Sequence, residues 1–227
     1  MSVLRLPSLP ANAGKQQWGN LPGVALSLAI AEAASNAGRF TLVLTEGSQS
    51  AERLQEELAF FAPNLPVLHF PDWETLPYDV FSPHQDIISQ RIAALYQLPQ
   101  LSRGILVVPI ATALHRLAPK RFLLGSSLVL DVGQTLDVEQ MRTRLEAAGY
   151  RCVDTVYEHG EFAVRGALID LFPMGSDTPY RIDLFDDEIE TLRTFDPETQ
   201  RSVDKVESIR LLPAREFPLE KKAVADF

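Results

Sequence analysis

The second half of the chain replaces alternating helix and strand segments with an almost unbroken series of strand segments. One amphipathic helix, "TLDVEQMRTRLEAAGY", comes first, with Asp137 as its expected N-cap, Gln140 as the capping-box partner and Gly149 as its stop. Short turn signals then separate the strand segments "YRCVDTVY", "EFAVRG", "ALIDLFP", "YRIDLFD" and "EIETLRTFD". Because short turns join antiparallel neighbours, this half predicts an antiparallel meander with a helix packed on one side.

The first half predicts a different architecture. It contains a helix in "LPGVALSLAIAEAASNAG", a buried strand in "RFTLVLT" and an amphipathic helix in "SQSAERLQEELAFFAP". Two further β-rich runs, "PVLHF" and "GILVVP", are separated by a loop and by the helix around "DIISQRIAALYQLP". Strands that alternate with helices indicate βαβ units, so we expect an α/β domain with a parallel sheet.

Charge and apolar content limit the classes of function. The formal net charge of −9 argues against DNA binding through the whole surface, because such binding neutralises phosphates with Lys and Arg. An acidic total does not exclude a local basic patch, but a protein partner is the simpler expectation. No apolar stretch reaches the roughly 20 residues of a membrane span and no signal-peptide pattern opens the chain, which predicts a cytoplasmic location without a membrane partner.

A phosphate loop is the first chemistry to look for in an α/β domain. Its pattern, G-x-x-x-x-G-K-[ST], supplies a lysine to the phosphates and a hydroxyl to magnesium. Counted from Gly19, the stretch "GNLPGVALS" has Val24, Ala25 and Leu26 where the pattern requires Gly, Lys and Ser or Thr. Ser27 cannot replace the missing lysine, so we interpret this stretch as an ordinary junction between a loop and a helix that binds no nucleotide.

Other catalytic and metal-binding patterns are also missing from the sequence. The single cysteine, Cys152, excludes an internal disulfide and shares no metal-ligand spacing with the four histidines. The acidic run from Asp183 to Glu190 lacks the glycine and the phasing of a calcium loop, so a solvated hairpin turn explains it better. We therefore expect no metal, no cofactor and no catalytic residue in this chain.

Arg165 interrupts an otherwise apolar strand segment. It ends "EFAVR" just before Gly166, whose freedom at positive φ suits a tight turn or a bulge that aims the arginine outward. In the neighbouring segment "YRIDLFD", the two-residue period of a strand places Ile182 and Leu184 on one face. The opposite face then displays Arg181, Asp183 and Phe185.

Two interpretations of this outward face remain open. An aromatic side chain between charges is typical of binding hot spots, where arginine pairs with carboxylates. Alternatively, Phe185 packs under a neighbouring loop, and Arg181 pairs with Asp183 or Asp170 on the surface. If the face binds a partner, we expect replacing Arg181 or Phe185 to change the free energy of unfolding by less than about 0.5 kcal/mol. Replacing Ile182 should instead destabilise the fold.

Two long stretches resemble a known family. "DWETLPYDVFSPHQDIISQRIAALYQLP" and "EHGEFAVRGALIDLFPMGSDTPYRIDLFDDEIETLRTFDPETQRS" are similar to the N-terminal region of the bacterial transcription-repair coupling factors, the Mfd family. That region is itself similar to the excision-repair protein UvrB, with its skeleton R-G-x-F-x-V-R-G, I-x-x-F-P and R-I/V-x-x-F-x-D-E-I-E. The resemblance covers nearly the whole chain and is most specific in residues 68–98 and 150–201.

This resemblance implies three segments. Residues 1–125 would form a degenerate RecA-like domain without a functional phosphate loop, similar to UvrB domain 1a. Residues 126–211 would form an inserted α+β module, similar to the UvrB domain 2 that binds UvrA, and residues 212–227 the truncated start of a domain 1b-like return segment. UvrB has an intact phosphate loop, where this chain has "GNLPGVALS". UvrB also has an aromatic-rich hairpin that inserts into damaged DNA, and at that position this chain has only "VFSPHQ".

The resemblance also implies which residues bind a partner. Arg165 and Arg181 correspond by motif to arginines that UvrB uses towards UvrA, and Asp183 stands where UvrB has a glutamate. Phe185 completes the predicted UvrA-binding set. A further UvrB arginine position is occupied by Ala163 here, so the interface should overlap that of UvrB without copying it.

The function implied by the resemblance is non-catalytic. This segment would recruit UvrA to lesions where RNA polymerase has stalled. The full-length protein would also bind RNA polymerase and double-stranded DNA, and would use ATP and magnesium in motor domains outside this chain. The alternative is a UvrB-like module that binds nucleotide or damaged DNA, which a nucleotide titration would distinguish.

Overall fold

The computed structural model describes residues 14–76 and 79–219. They fall into two compact units: the first runs up to Asp72 and resumes at Gln97–His115, and the second comprises Trp73–Tyr96 and the chain from Arg116 onward. Residues 73–96 and 116–125 thus pack with the second unit, although they lie inside the first segment implied by the resemblance. The segment boundaries themselves concern homology to UvrB and stay a prediction.

The first unit is a small α/β unit around a parallel sheet. Its strands are β1 Phe40–Thr45, β2 Val67–His69 and β3 Gly104–Pro109, in the order β1-β3-β2 with both pairings parallel. Its helices are α1 Ala25–Ala37, α2 Ser48–Phe61 and the short α4 Ile110–Ala113, with a 3₁₀ turn at Leu98–Gln100. Apolar residues of α1, α2 and β3 form its core, among them Ala31, Leu58 and Ile105. The predicted parallel sheet in this half is confirmed.

The second unit is built on a larger, mainly antiparallel sheet. Its helices are α3 Gln85–Gln97, α5 Lys120–Gly125 and α6 Val138–Ala147. Its strands are β4 Leu128–Asp131, β5 Arg151–Cys152, β6 Glu161–Arg165, β7 Leu168–Leu171, β8 Tyr180–Phe185, β9 Glu188–Phe195, β10 Ser202–Val206 and β11 Ser208–Leu211. Six of them, in the order β10-β9-β8-β7-β6-β5, form what we call the large sheet, while β4 and β11 pair separately.

The meander is confirmed from β6 to β9, where successive strands pair antiparallel, and β10, which the sequence did not predict, pairs antiparallel with β9. It is wrong at β5, which pairs parallel to β6. "EHG" is therefore not a hairpin turn between those two strands. Residues between β5 and β6 instead bury Val156, 0% exposed, against Ala163, Phe172 and Phe195. Because the connection packs these apolar side chains against the sheet before β6 begins, β6 starts in the same direction as β5.

The helix α6 begins and ends where the sequence predicts. Asp137 Oδ1 accepts a hydrogen bond from the backbone N–H of Gln140 at 2.7 Å, which caps the helix N-terminus. Gly149 follows the helix with a φ of 98°, in the left-handed region that favours glycine. Met141 and Leu145 of α6 then pack, with Ile92 of α3, against the inner face of the large sheet.

Segments after the large sheet belong to the second unit as well. Leu212, Ala214 and Glu216, within the predicted exit segment "LLPAREFP", are all buried. The predicted helix in "LEKKAVADF" lies, apart from Leu219, outside the described residues. None of the helices in the described part of the chain is long and apolar enough to cross a membrane.

Candidate protein-interaction site

The site candidates lie on the outer face of the large sheet, which we define as the face opposite α3 and α6. Period-two burial along β8 is as predicted, since Ile182 and Leu184 are buried and Phe185 is 70% exposed. With this exposure Phe185 does not pack under any loop of the described residues, so that part of the alternative interpretation is wrong. An exposed phenylalanine at the end of a strand is available to a partner.

Arg165 ends β6 at a tight turn. Gly166 has a φ of 63°, and β7 begins only two residues later, so that Arg165 and Leu168 are directly paired. This backbone conformation favours glycine at position 166, as predicted. The Arg165 side chain is 48% exposed and its Nη2 donates a hydrogen bond to Asp170 Oδ2. Its guanidinium is therefore held at one end and remains accessible.

Asp170 is the buried centre of this face. Its side chain is 1% exposed, and Arg181, directly opposite it on β8, donates from Nε to Oδ1 at 2.7 Å and from Nη2 to Oδ2 at 3.0 Å. Together with Arg165, two guanidinium groups thus neutralise one carboxylate. A buried carboxylate costs several kcal/mol unless it is paired in this way. The alternative interpretation placed an Arg181–Asp170 pair on the surface. The pair does form, but Asp170 is buried.

Arg181 itself is largely enclosed. Only 17% of its side chain is exposed, and Nη1 also donates to the Gln200 carbonyl and to Ser202 Oγ, both at 3.3 Å. Its guanidinium carbon lies 5.0 Å from the centre of the Phe195 ring, in cation–π contact. The hydrogen bonds to Asp170 raise the pKa of Arg181. Arg181 is therefore not the exposed surface residue that the stability expectation assumed, and we now expect its replacement to destabilise the fold.

Asp183 lies between these arginines and Phe185. It is half-buried, pairs with Thr191 across the strands and accepts a hydrogen bond from Thr191 Oγ1 at 3.3 Å. Among the described residues only Oδ2 accepts a hydrogen bond, so Oδ1 remains for a partner.

The other end of the outer face is closed. Ala163, at the position where UvrB has a further arginine, is 1% exposed and packs with Val156, Phe172 and Phe195. A long charged side chain would not fit in this cluster. On β6, the candidate site is therefore limited to the end that carries Arg165.

The predicted remnant of a phosphate loop precedes α1. Gly19 is exposed, Val24 is the N-cap residue without a side-chain cap, and Ala25 begins the helix. Val24 and Leu26 are 54% and 42% exposed, so apolar groups stand where a phosphate loop would present polar ones. The buried hydroxyl of Ser27 donates to Glu57 and is thereby occupied. Lack of nucleotide binding stays a prediction.

Acidic and histidine side chains form no evident metal centre. Across residues 14–76 and 79–219, no three His, Cys, Asp or Glu side chains converge as a metal ion would require. His159 instead stacks on Phe172 at 3.9 Å, and its ring nitrogens lie 2.7 Å from Asp86 Oδ1 and from the Ser176 carbonyl. This histidine joins α3 to the large sheet.

Comparisons with known proteins agree with the motifs. The UvrB interaction domain family matches residues 128–217, which include all four predicted binding residues. The chain is 51% identical over 221 residues to the transcription-repair-coupling factor of Escherichia coli, covering 97% of this chain and 19% of that protein. It is 51% identical over 207 residues to that of Haemophilus influenzae (91% and 18%) and 29% identical over 213 residues to that of Bacillus subtilis (93% and 18%). The chain thus spans about a fifth of the length of these curated relatives, and the predicted resemblance is confirmed.

Proposed function

Because this chain is a homologue of a segment of the transcription-repair-coupling factors and carries a UvrB interaction domain, we propose that it is a non-catalytic module that recruits UvrA. Recruitment would take place at DNA lesions where RNA polymerase has stalled. UvrA would bind the open end of the outer face through Arg165, Asp183 and Phe185, with Arg181 holding that face in shape.

The observation that carries the proposal is that an exposed Phe185 and an accessible guanidinium lie at the same end of the outer face. Phe185 is 70% exposed, and Arg165 is 48% exposed although its guanidinium is already oriented by Asp170. An aromatic anchor supplies contact area, and an oriented arginine loses little conformational freedom when it pairs with a carboxylate. Both features favour binding to a protein surface.

The remaining parts of the proposal concern the whole protein. The first unit would be a RecA-like domain that has lost its phosphate loop, and the full-length protein would act in the cytoplasm. Motor domains outside this chain would use ATP and magnesium to move along double-stranded DNA and would act on RNA polymerase. The family names of the relatives support this role in transcription-coupled repair.

A calorimetric titration of this chain with purified UvrA tests the proposal. Phe185→Ala should weaken binding by about 2 kcal/mol or more, roughly thirtyfold, because it removes an aromatic anchor. Its melting temperature should stay close to that of the wild type, since the ring is exposed. Phe60→Ala is the matched control, because Phe60 is 79% exposed but lies in the first unit.

Two results would contradict the proposal in different ways. If the wild-type chain does not bind UvrA at micromolar concentrations, the function is wrong. If the wild type binds and Phe185→Ala binds equally well, UvrA uses another surface and only the site is wrong.

A further inference from the structure

A row of cationic side chains crosses three strands of the outer face. Arg193 on β9 lies directly opposite Arg181 on β8, and Lys205 on β10 lies directly opposite Arg193. Residues directly opposite one another on antiparallel strands share a face, and like charges placed so destabilise a sheet. Asp170 balances Arg181 from the other side, but it is one strand further from Arg193. The row therefore has positive charge left over.

Arg193 lacks the partners that Arg181 has. Its side chain is half-buried, and its Nε is buried without a hydrogen-bond partner. Within the part of the chain that the structure describes, neither Arg193 nor Lys205 makes a side-chain hydrogen bond or an ion pair. Buried donors are nearly always satisfied in native proteins. An acceptor supplied from outside would complete this site.

The surroundings indicate what kind of acceptor fits. The chain carries a net charge of −9, so a cationic row is a local exception on an acidic protein. Next to Phe185, the β8–β9 turn carries Asp186 and Asp187 and β9 begins with Glu188, and these carboxylates would repel a nucleic acid backbone. A carboxylate on a protein surface avoids that repulsion, and arginine binds a carboxylate through two parallel hydrogen bonds. These charges favour an acidic protein segment over DNA or RNA.

The row lies within reach of the interface proposed above. Arg181 is four positions from Phe185 along β8, roughly 13 Å at about 3.3 Å per residue, and Arg193 is its neighbour one strand away. An interface of standard size, about 800 Å² per partner, covers both positions.

We propose that Arg193, assisted by Lys205, is a second contact point of this interface and binds a carboxylate-bearing segment of UvrA. The inference rests on the proposed function and extends it, because neither residue was predicted from the motifs. Phe185 and Arg165 would anchor one end of the interface, and the cationic row would set its orientation at the other end.

Affinity for purified UvrA, measured at several salt concentrations, tests this proposal. Arg193→Gln should weaken binding by about tenfold or more and make the affinity less salt-dependent, because a charge pair is lost. Its melting temperature should not fall, since the variant removes a like-charge neighbour of Arg181. Arg142→Gln is the matched control, because it removes the same charge from an accessible side chain, 46% exposed. Arg142 lies on α6, whose core residues pack against the inner face of the sheet, away from the cationic row.

Lys205→Gln provides a second variant that cannot disturb a buried group, because Lys205 is exposed. It should weaken binding severalfold. If Phe185→Ala loses affinity while both Arg193→Gln and Lys205→Gln bind as the wild type does, the inference is wrong and the proposed function stands. If the wild type does not bind UvrA, both are wrong. Binding of duplex DNA is measured for the same variants. If they bind UvrA as the wild type does but lose binding of duplex DNA, the row contacts nucleic acid and the inference is overturned.

Discussion

Arg165 and Arg181 look equivalent in the sequence, but the buried carboxylate of Asp170 gives them different roles. Arg181 uses two nitrogens on Asp170 and is only 17% exposed, whereas Arg165 contacts it through one nitrogen and is 48% exposed. Pairing with a buried charge stabilises the fold, and an exposed guanidinium remains available for binding. Arg165 is therefore better suited to bind a partner, and Arg181 to stabilise the sheet.

Replacing each arginine with alanine should separate these roles. Arg181→Ala leaves Asp170 buried with a single, half-exposed partner, so the free energy of unfolding should fall by about 1 to 3 kcal/mol. Arg165→Ala should cost less than about 1 kcal/mol, because it removes one hydrogen bond from a half-exposed side chain while Arg181 still donates to both oxygens of Asp170. Chemical denaturation of both variants measures the difference. Equal losses, or a larger loss for Arg165→Ala, would show that Arg181 does not hold the face.

At the scale of elements, α3 is joined to a segment far along the chain. The Arg91 side chain is 0% exposed and donates to both carboxylate oxygens of Glu216 at 2.8 Å, while Trp73 Nε1 donates to the same carboxylate at 3.0 Å. Ser89 Oγ accepts a hydrogen bond from the backbone of Gly175 at 2.8 Å. Residues 73–96 thus complete the second unit, although they precede the matched UvrB interaction domain in the sequence.

The Arg91–Glu216 pair should be important for stability. Arg91→Met leaves a buried carboxylate with Trp73 as a remaining donor, so unfolding should become easier by about 3 kcal/mol, at the lower end of the cost of breaking a buried pair. Arg142→Met breaks only an exposed pair with Glu146 and should cost about 0.5 kcal/mol or less.

Thermal and denaturant unfolding of both variants measures this difference. The same interpretation predicts that a fragment of residues 128–217 unfolds more easily than one of residues 73–219. Similar stability for Arg91→Met and Arg142→Met, or for the two fragments, would mean that α3 contributes little to the stability of the second unit.

At the scale of the whole molecule, the two units carry different kinds of surface. The second unit presents the candidate interaction site. The first unit has a parallel sheet between helices, and Val24, Ala25 and Leu26 stand where the pattern of a phosphate loop requires Gly, Lys and Ser or Thr. A fold of this class does not by itself imply its usual ligand.

ATP with magnesium at millimolar concentration should therefore leave the melting temperature unchanged and should not be hydrolysed. A ligand at a hundred times its dissociation constant would stabilise the protein by about 2.7 kcal/mol, which a thermal shift assay detects easily. UvrB, with its intact phosphate loop, is the positive control. An ATP-dependent rise in melting temperature would favour the alternative of a UvrB-like nucleotide-binding module.

Local patterns in the sequence determined the faces of β8, the cap of α6 at Asp137, the turn at Gly166 and the two classes of sheet. Each depends on a strand period, a helix terminus or a backbone conformation within a few residues, so it can be predicted without knowing the fold. Only the tertiary structure decided that β5 runs parallel to β6, that Asp170 holds two arginines, and that Arg91 meets Glu216 across 125 residues of chain. It also decided that Arg193 makes no hydrogen bond with the other described residues. These outcomes depend on which distant side chains compete for one buried charge or one apolar surface, and a local pattern carries no information about that competition.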